Sequence, residues 1–246
     1  MAAVNLFIVG GQKCGTTALA SFIQQHPDIC LVQNKEAHVF DSAQAPAMTR
    51  SEFQACFDTL SGHYQGEKYL CDATPIYSYW PEAIESVAEY APDAKVIFLL
   101  RDPVDRAVSQ YQMEHKRGLE PKGMFQAFLA ESSRLEEARG NRTPTSPWRV
   151  HSYMDRGHFS VQYKKLLELF DKGQILVLHN NQLRNNHDAT LKKVFDFLQL
   201  PDHTIPAKEV FSGEYLPMGW EERLARMYAK WKLKKEREFV AEFDRP

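Results

Sequence analysis

Residues 10–17 read Gly-Gly-Gln-Lys-Cys-Gly-Thr-Thr and form the stretch that decides the fold of this chain. They follow an apolar run at residues 4–9, which is typical of a buried strand, and precede an amphipathic segment at residues 18–25. A glycine-rich turn between a strand and a helix start directs backbone N–H groups and the positive end of the helix dipole toward one point. The sequence therefore predicts a phosphate-binding turn here.

The lettering of this turn differs from the phosphate loop of nucleoside triphosphatases, which reads G-x-x-x-x-G-K-[ST]. Gly10 and Gly15 keep the spacing of its two glycines, but Thr16 occupies the position of its lysine. The lysine is found instead at Lys13, inside the turn. We therefore expect the turn to bind a phosphate group, but not the triphosphate of ATP held with magnesium.

Apolar runs that alternate with helical patterns predict the fold class. Each run is short, rich in branched side chains and bounded by breakers, as expected for strands buried on both faces of a parallel sheet. The predicted strands are residues 6–9, 29–32, 69–71, 96–100 and 175–178. The predicted helices are residues 17–25, 81–90, 104–117, 124–139, 159–170, 188–200 and 221–239. This alternation indicates an α/β fold with a doubly wound parallel sheet flanked by helices, in a single domain over residues 1–246.

The composition is that of an ordinary globular chain and argues against several classes of protein. A formal net charge of −2 argues against a general nucleic-acid binder. The cysteines show neither metal-ligand spacing nor a pairing pattern; they are Cys14, Cys30, Cys56 and Cys71. The amino-terminal segment has no basic stretch and no apolar run long enough for a signal or a membrane span. We therefore expect a cytoplasmic protein without a metal site or a transmembrane segment.

Further stretches with chemical character occur in order along the chain. Residues 35–41 read Lys-Glu-Ala-His-Val-Phe-Asp, and residues 72–77 read Asp-Ala-Thr-Pro-Ile-Tyr. Residues 96–111 combine a predicted strand, an arginine-containing turn and a helix. Residues 156–159 read Arg-Gly-His-Phe and precede the last predicted strand.

Together with the turn at residues 10–17, this ordered set resembles the sulfotransferases that use 3′-phosphoadenosine 5′-phosphosulfate (PAPS), above all those of the heparan-sulfate type. The resemblance covers roughly residues 5–200. It implies the P-loop-like sulfotransferase fold and in-line transfer of a sulfonate group from PAPS to a hydroxyl or amine of a saccharide or other small-molecule acceptor. The product would be 3′-phosphoadenosine 5′-phosphate (PAP), and no metal would be required. The chain looks like a bacterial, free-standing member, although an excised catalytic domain fits as well.

The resemblance also assigns the donor site. Lys13 would contact the bridging oxygen and the sulfonate, and the turn around it would hold the 5′-phosphate. Arg101 and Ser109 would clamp the 3′-phosphate, because a guanidinium fork suits a phosphate and a hydroxyl adds a contact. Taken alone, Arg101 could equally cap a strand end. The expected donor-binding residues are Gly11, Gln12, Lys13, Cys14, Gly15, Thr16, Thr17, Arg101 and Ser109.

The segment at residues 35–41 resembles the one that carries the base in the heparan-sulfate-type enzymes. We expect Glu36 to act as general base, with its pKa raised by partial burial. His38 lies two residues on, so that in an extended segment both side chains project to the same side. It either orients the acceptor or is itself the base. The alternative for Glu36 is a surface carboxylate paired with Lys35.

Several other residues keep two readings. Asp72 matches an acidic family position, but Ala73 replaces the adjacent family lysine, which puts a substrate contact there in doubt. Arg156 fits either a ligand contact or an ion pair, and Arg106 is read as a surface or ion-paired residue. Tyr77, Tyr79, Trp80 and Trp148 fit either a sugar-binding surface or the core. Residues 212–215 weakly resemble a segment that closes over the adenine, and residues 43–50 and 140–147 are predicted loops.

Two alternatives to a sulfotransferase remain open at this point. A phosphate-loop kinase would share the fold but would need a lysine at position 16 and acidic magnesium ligands. A non-catalytic nucleotide-binding module would share the loop but would have no use for Glu36 and His38.

Overall fold

The computed structural model describes residues 3–33, 35–207 and 219–244. The chain divides into two compact units. The first contains Met1–Leu100 and Gln162–Ser212, and the second contains Arg101–Val161 and Gly213–Arg245. A single domain over residues 1–246 therefore stays a prediction.

A five-stranded parallel sheet forms the centre of the first unit, with the strand order β2-β3-β1-β4-β5. The strands are β1 (Leu6–Gly10), β2 (Ile29–Leu31), β3 (Tyr69–Asp72), β4 (Lys95–Leu100) and β5 (Ile175–His179). Each agrees with its predicted range to within one residue at either end. The chain runs from β1 to the edge strand β2, returns to β3 beside β1, and then adds β4 and β5 on the other side of β1. The predicted doubly wound class is therefore confirmed.

Helices connect the strands of the first unit and build the second unit. Their bounds are α1 (Thr16–Ile23), α2 (Arg50–Leu60), α3 (Ala83–Tyr90), α4 (Pro103–Lys116), α5 (Met124–Glu137), α6 (Pro147–Val150), α7 (Phe159–Leu169), α8 (Asn180–Asn185), α9 (His187–Leu198), α10 (Gly219–Lys232) and α11 (Lys234–Ala241). No helix in the described ranges is long and apolar enough to cross a membrane.

The central strands are buried because they are apolar along their whole length. All residues of β1 and the last five of β4 are buried, as expected for strands covered on both faces. Burial of each large aliphatic or aromatic side chain contributes about 1.5–3 kcal/mol. The registers Phe7↔Val96 and Phe7↔Asp72 place the carboxyl ends of β1, β3 and β4 at the same edge of the sheet.

Helix α2 is missing from the predicted helices, although its start carries a local signal. The predicted loop at residues 43–50 contains a short 3₁₀ turn and ends where α2 begins. The Thr49 hydroxyl accepts a hydrogen bond from the Glu52 N–H, and the Glu52 carboxylate accepts one from the Thr49 N–H. This reciprocal Thr-x-x-Glu capping box, followed by the buried Phe53 and Phe57, is a recognisable helix start.

The second unit has a helical core of its own. The predicted single helix at residues 221–239 is wrong, because α10 ends at Lys232 and α11 begins at Lys234, with the buried Leu233 between them. Side chains of α4, α5 and α10 pack together in this core. It contains Val104, Ala107, Val108, Tyr111, Met124, Ala127, Phe128, Tyr153, Met154, Ala225, Ala229 and Leu233.

The tight fit at the end of β1 generates a stability prediction. A Cβ added at Gly10 would overlap the Ser78 hydroxyl and lie 2.9 Å from the Phe98 ring. We expect Gly10→Ala to destabilise the protein by about 1–3 kcal/mol, as overpacking of a dense core does. Gly62→Ala is the matched control, because no atom lies within 4 Å of its added Cβ. Urea unfolding measures both variants, and equal midpoints for the two would contradict the prediction.

Candidate functional site

The turn after β1 is a tight coil fixed to the sheet. Lys13 and Gly15 both have positive φ values, 68° and 94°. The Gly11 N–H donates to the Leu99 carbonyl over 2.7 Å, and the Cys14 N–H donates back to the Gly11 carbonyl over 3.1 Å. These backbone bonds tie the turn to β4 and close it on itself.

Helix α1 begins directly at the end of this turn. Gly15 is its N-cap, and no side chain in the described part of the chain caps the helix. The first N–H groups of an α-helix have no acceptor within the helix and are left to a ligand or to water. A positive-φ coil that leads into an uncapped helix start therefore fits a phosphate group.

A side chain from a distant part of the sequence also supports the turn. Asn180, the first residue of α8, donates its side-chain amide to the Cys14 carbonyl over 2.9 Å. A Cβ at position 15 would lie 2.6 Å from the same amide nitrogen. Glycine is thus required at position 15 by both its φ and this approach. Asn180 escaped the sequence prediction because no local pattern signals a partner 166 residues away.

The predicted loop residues differ in accessibility. Within the turn and the first residues of α1, Gly11, Cys14 and Thr16 are buried, whereas Gln12, Lys13, Gly15 and Thr17 are partly exposed. Lys13 is therefore accessible within a turn whose backbone is fixed. The roles predicted for these residues in donor binding remain predictions.

A chain of ionisable groups follows the short strand β2. His38 Nδ1 lies 2.9 Å from the buried Asp41 carboxylate, and His38 Nε2 lies 3.4 Å from the Glu36 carboxylate. Lys35 Nζ contacts the other Glu36 oxygen at 3.0 Å. Glu36 and His38 meet as expected, but the segment is not extended, because Lys35 and His38 have φ values of 55° and 53°. Asp41 was not predicted, although its spacing of three residues from His38 was available in the sequence.

These contacts set the protonation states of Glu36 and His38. Burial alone would raise the pKa of Glu36, but the hydrogen bond from His38 and the positive charge of Lys35 outweigh it and lower the pKa to about 2. Hydrogen bonds to Asp41 and Glu36 raise the pKa of His38 to about 9 against the opposing effect of burial. The expected upward shift for Glu36 is wrong, because the neighbouring cations dominate over desolvation. Near neutral pH, Glu36 is a carboxylate and His38 an imidazolium.

Behind this chain lies a buried polar network at the end of β3. Asp72 accepts hydrogen bonds from the Thr74 hydroxyl at 2.6 Å and the Tyr77 hydroxyl at 2.9 Å. The same carboxylate accepts from the Ala37 N–H at 3.4 Å, and Tyr77 in turn accepts from the Val39 N–H at 3.0 Å. The backbone on both sides of His38 is therefore held by hydrogen bonds to Asp72 and Tyr77.

Asp72 carries the electrostatic cost of this role. Its complete burial raises its pKa to about 6, although the hydrogen bonds from Thr74, Tyr77 and Ala37 oppose the shift. The neighbouring Ala73 is fully buried, so its side chain offers no contact to a substrate. Asp72 acts on the backbone of the 35–41 segment and has no observed access to solvent.

Arg101 and Ser109 belong to the second unit. Asp102 caps α4 by accepting hydrogen bonds from the Val104 and Asp105 N–H groups at 2.9 and 3.1 Å. Arg101 precedes this cap and is partly exposed, whereas Ser109 lies on α4 and is buried. Their predicted role on a 3′-phosphate remains a prediction.

Two arginines of the second unit have structural roles. Arg106 was expected at the surface or in an ion pair, but it is fully buried and donates to the Gln110 side chain and the Tyr153 carbonyl. The surface position is wrong, since packing of α4 covers the residue, whereas Arg106 does interact electrostatically with the buried Glu131. Arg156 is also buried and donates to the carbonyls of Trp148 and Arg149 at 2.9 and 3.0 Å.

The aromatic residues considered for a sugar-binding surface divide between core and partial exposure. Tyr77 and Trp80 are buried, and Tyr77 belongs to the network around Asp72. Tyr79 and Trp148 are partly exposed, and the Trp148 indole donates to the Leu135 carbonyl. Tyr77 and Trp80 are therefore core residues and do not form a sugar-binding surface.

Two further sequence predictions concern a metal site and the segment that would cover the adenine. Within residues 3–33, 35–207 and 219–244, no group of His, Cys, Asp and Glu side chains is arranged to hold a metal ion. The segment at residues 212–215, compared with an adenine-covering region, lies outside the described residues.

The Glu36–His38–Asp41 chain generates a titration prediction. Because two carboxylates hold its proton, His38 should titrate at about 9, above the ordinary 6.5. Asp41→Asn removes the stronger of its two partners and should move the titration toward the ordinary value. NMR titration of the imidazole protons, assigned with His38→Gln, measures both values.

The control for this titration removes a carboxylate elsewhere in the first unit. Glu89 is exposed on α3, so Glu89→Gln should leave the His38 titration unchanged. A His38 signal that titrates near 6.5 in the parent protein would show that the contacts with Asp41 and Glu36 are not formed in solution.

Comparison with known proteins adds independent information. The family described as "Sulfotransferase domain" matches residues 4–242. The bifunctional heparan sulfate N-deacetylase/N-sulfotransferase 3 of Mus musculus is 27% identical over 209 residues, which are 81% of this chain and 22% of that protein. The heparan sulfate glucosamine 3-O-sulfotransferase 3B1 of Mus musculus is 30% identical over 194 residues, which are 78% of this chain and 45% of that protein. The chain thus spans less than half the length of these two relatives.

A solved structure supports the fold. The sulfotransferase from Alicyclobacillus acidocaldarius superposes with a TM-score of 0.73 at 22% identity, covering 98% of this chain and 97% of its own. The match of the family over residues 4–242 confirms the resemblance drawn from the ordered motifs. This chain therefore belongs to the sulfotransferase domain family.

Proposed function

We propose that this protein transfers the sulfonate group of PAPS in line to a hydroxyl or amine of a saccharide or other small-molecule acceptor. The observation that carries the proposal is the ionised Glu36 held beside His38, in the same unit as a phosphate-type turn that contains Lys13. A nucleotide-binding module without catalysis has no need of a partly exposed carboxylate held in this way.

The turn at residues 10–17 supplies the donor site in this proposal. Backbone N–H groups at the start of α1 and the hydroxyls of Thr16 and Thr17 would hold the 5′-phosphate. Lys13 would neutralise charge that develops on the leaving oxygen, where a fixed cation contributes more to the transition state than to the ground state. Gly11, Gln12, Cys14 and Gly15 would shape the turn around it.

Recognition of the 3′-phosphate is assigned to Arg101 and Ser109 of the second unit. A guanidinium offers a planar pair of donors that matches a phosphate, and a hydroxyl adds one further hydrogen bond. A donor nucleotide with this phosphate would then be distinguished from one that lacks it.

The general base is Glu36 in this proposal. Near neutral pH it is unprotonated, whereas the raised pKa of His38 keeps that ring protonated and unable to accept a proton. His38 would then orient Glu36 and offer its own proton as a hydrogen bond, with Asp41 balancing its charge. The weak basicity of Glu36 in the free protein favours proton transfer that follows attack on sulfur rather than one that precedes it.

The acceptor class rests on the family. The names of both relatives specify sulfation of heparan sulfate, at nitrogen in one and at a 3-hydroxyl in the other. Ala73 replaces a lysine of the heparan-sulfate pattern, so we extend the proposal to saccharides and other small molecules without choosing among them. A cytoplasmic location and independence of metal ions stay predictions.

Donor recognition can be tested by binding measurements with PAP and AMP, which differ in the 3′-phosphate. We expect PAP to bind more tightly than AMP, in EDTA as well as in magnesium. Arg101→Ala should weaken PAP binding by about 10- to 100-fold, the range of a charge-assisted hydrogen bond, and leave AMP binding unchanged. Calorimetry measures the four affinities.

The control is Arg117→Ala, which removes an exposed arginine at the carboxyl end of α4, the helix that Arg101 precedes, and should leave PAP affinity unchanged. Equal affinities of the parent protein for PAP and AMP would remove the 3′-phosphate clamp. Tighter binding of ATP with magnesium than of PAP would favour the kinase alternative.

The base can be identified from the pH dependence of single-turnover sulfonation. With Glu36 as base and His38 protonated, the rate should be flat near neutral pH and fall as pH rises through about 9, where His38 loses its proton. With His38 as base, the rate should instead rise through that region. Glu36→Gln should lower the rate by roughly 10²–10⁴ at unchanged PAP affinity.

The control is again Glu89→Gln, which should keep the parent rate and pH profile. Parent activity in Glu36→Gln, together with an inactive His38→Ala, would reverse the assignment and make His38 the base. PAP binding with no sulfonation of any hydroxyl or amine tested would favour a non-catalytic module.

A further inference from the structure

Helix α10 presents a row of large apolar side chains to solvent. Trp220, Leu224, Met227 and Trp231 are exposed to 69%, 38%, 66% and 70%. Their spacing of four, three and four residues places them along one face of the helix. We call these four residues the outer face of α10.

The opposite side of α10 is firmly packed. Ala225, Ala229 and Leu233 are buried in the helical core of the second unit. Arg226 fixes the helix further through ion pairs with Asp105 at 2.6 Å and Glu222 at 2.8 Å. The outer face is therefore held toward solvent by the fold and is not a core face that has failed to pack.

Exposed apolar side chains elsewhere do not form such a row. The other large exposed hydrophobic residues of the described chain lie at scattered positions: Leu119, Leu129, Val161 and Leu167. Scattered exposed residues are normal, whereas a contiguous row of two tryptophans, a methionine and a leucine marks an interaction surface.

Basic residues outnumber acidic ones around the outer face, where the partly buried Glu221 is on the same edge as Lys232. By helical spacing, Arg223 and Lys230 follow one edge of the face and Lys232 follows the other, while Lys235 continues the charge into α11. These four side chains are exposed, and none of them forms an ion pair with a carboxylate of the described residues. Lys232 Nζ lies 5.1 Å from the Trp231 ring centre, so charge and aromatic surface are in contact.

This combination selects one kind of partner. A second copy of the chain would bring the basic residues that border the two outer faces close together. A purely polar polyanion would neutralise these basic residues but leave Met227 and Leu224 in water. An anionic lipid surface satisfies both requirements, since its headgroups pair with the lysines and arginines and its acyl boundary takes up the tryptophans. Tryptophan also prefers this boundary because its ring is amphipathic.

We propose that the outer face of α10 docks the protein on a membrane surface that contains anionic phospholipids. The helix lies in the plane of the headgroups, with Trp220 and Trp231 as apolar anchors and Arg223 and Lys230 as electrostatic contacts. This docking needs no helix that spans the membrane. It is independent of the proposed catalytic chemistry.

The test is co-sedimentation with vesicles of phosphatidylcholine alone or of phosphatidylcholine with phosphatidylglycerol. The parent protein should bind the anionic vesicles only, and less strongly as salt is raised. The double variant Trp220→Ser/Trp231→Ser should bind at least about tenfold more weakly. The double variant Arg223→Gln/Lys230→Gln should lose about fivefold for each charge removed.

The matched control is Leu129→Ser/Val161→Ser, which removes two exposed apolar side chains from α5 and α7 and should keep the parent affinity. Urea midpoints check that every variant folds. If the tryptophan variant does not fold, the charge variant tests the proposal. The proposal is overturned if the parent ignores anionic vesicles or binds neutral ones equally. It is also overturned if the parent forms dimers that the tryptophan variant abolishes, without vesicle binding, because the face then belongs to a second copy.

Discussion

The parallel pairing of β1 with β3 and β4 is the constraint on which the first unit depends. Because the three strands run in one direction, their carboxyl ends meet at one edge of the sheet. The phosphate-type turn leaves β1 there, and Asp72 ends β3 there. Close packing of Gly10 against Ser78 and Phe98 admits no side chain at the point where β1 becomes the turn.

The same edge explains how a polar segment without regular structure is held in place. Asp72 is buried at a cost that its raised pKa records, and its hydrogen bonds with Ala37, Thr74 and Tyr77 hold the backbone near His38. Burial of a carboxyl group without hydrogen-bond partners is strongly unfavourable, and the donors around Asp72 offset part of this cost. Through these hydrogen bonds Asp72 holds the segment that carries Glu36.

Charge on that segment is coupled to folding with a definite sign. The pKa of His38 is raised in the folded protein, so the contribution of its contacts to stability is complete below the unfolded value of 6.5 and is lost as pH rises through about 9. The pKa of Glu36 is lowered from 4.5, so its contribution is complete above that value and is lost as pH falls through about 2. Both contributions are complete between pH 4.5 and 6.5, and at neutral pH that of Glu36 is complete while that of His38 has begun to decline.

The sequence by itself determined the elements whose signals are local. The five strands and the turn at residues 10–17 follow from apolar runs and glycine spacing. The contact between Glu36 and His38 does not follow from the period of an extended chain, because Lys35 and His38 have φ values of 55° and 53°. Tertiary structure alone decided the burial of Arg106, the contact of Asn180 with the turn and the ionisation of Glu36. These depend on which distant groups meet and on the sum of opposing burial and charge effects, neither of which is encoded at one position. The outer face of α10 belongs to the same class, because the spacing of its residues predicts an amphipathic helix but only the packing of Ala225 and Ala229 shows which side faces water.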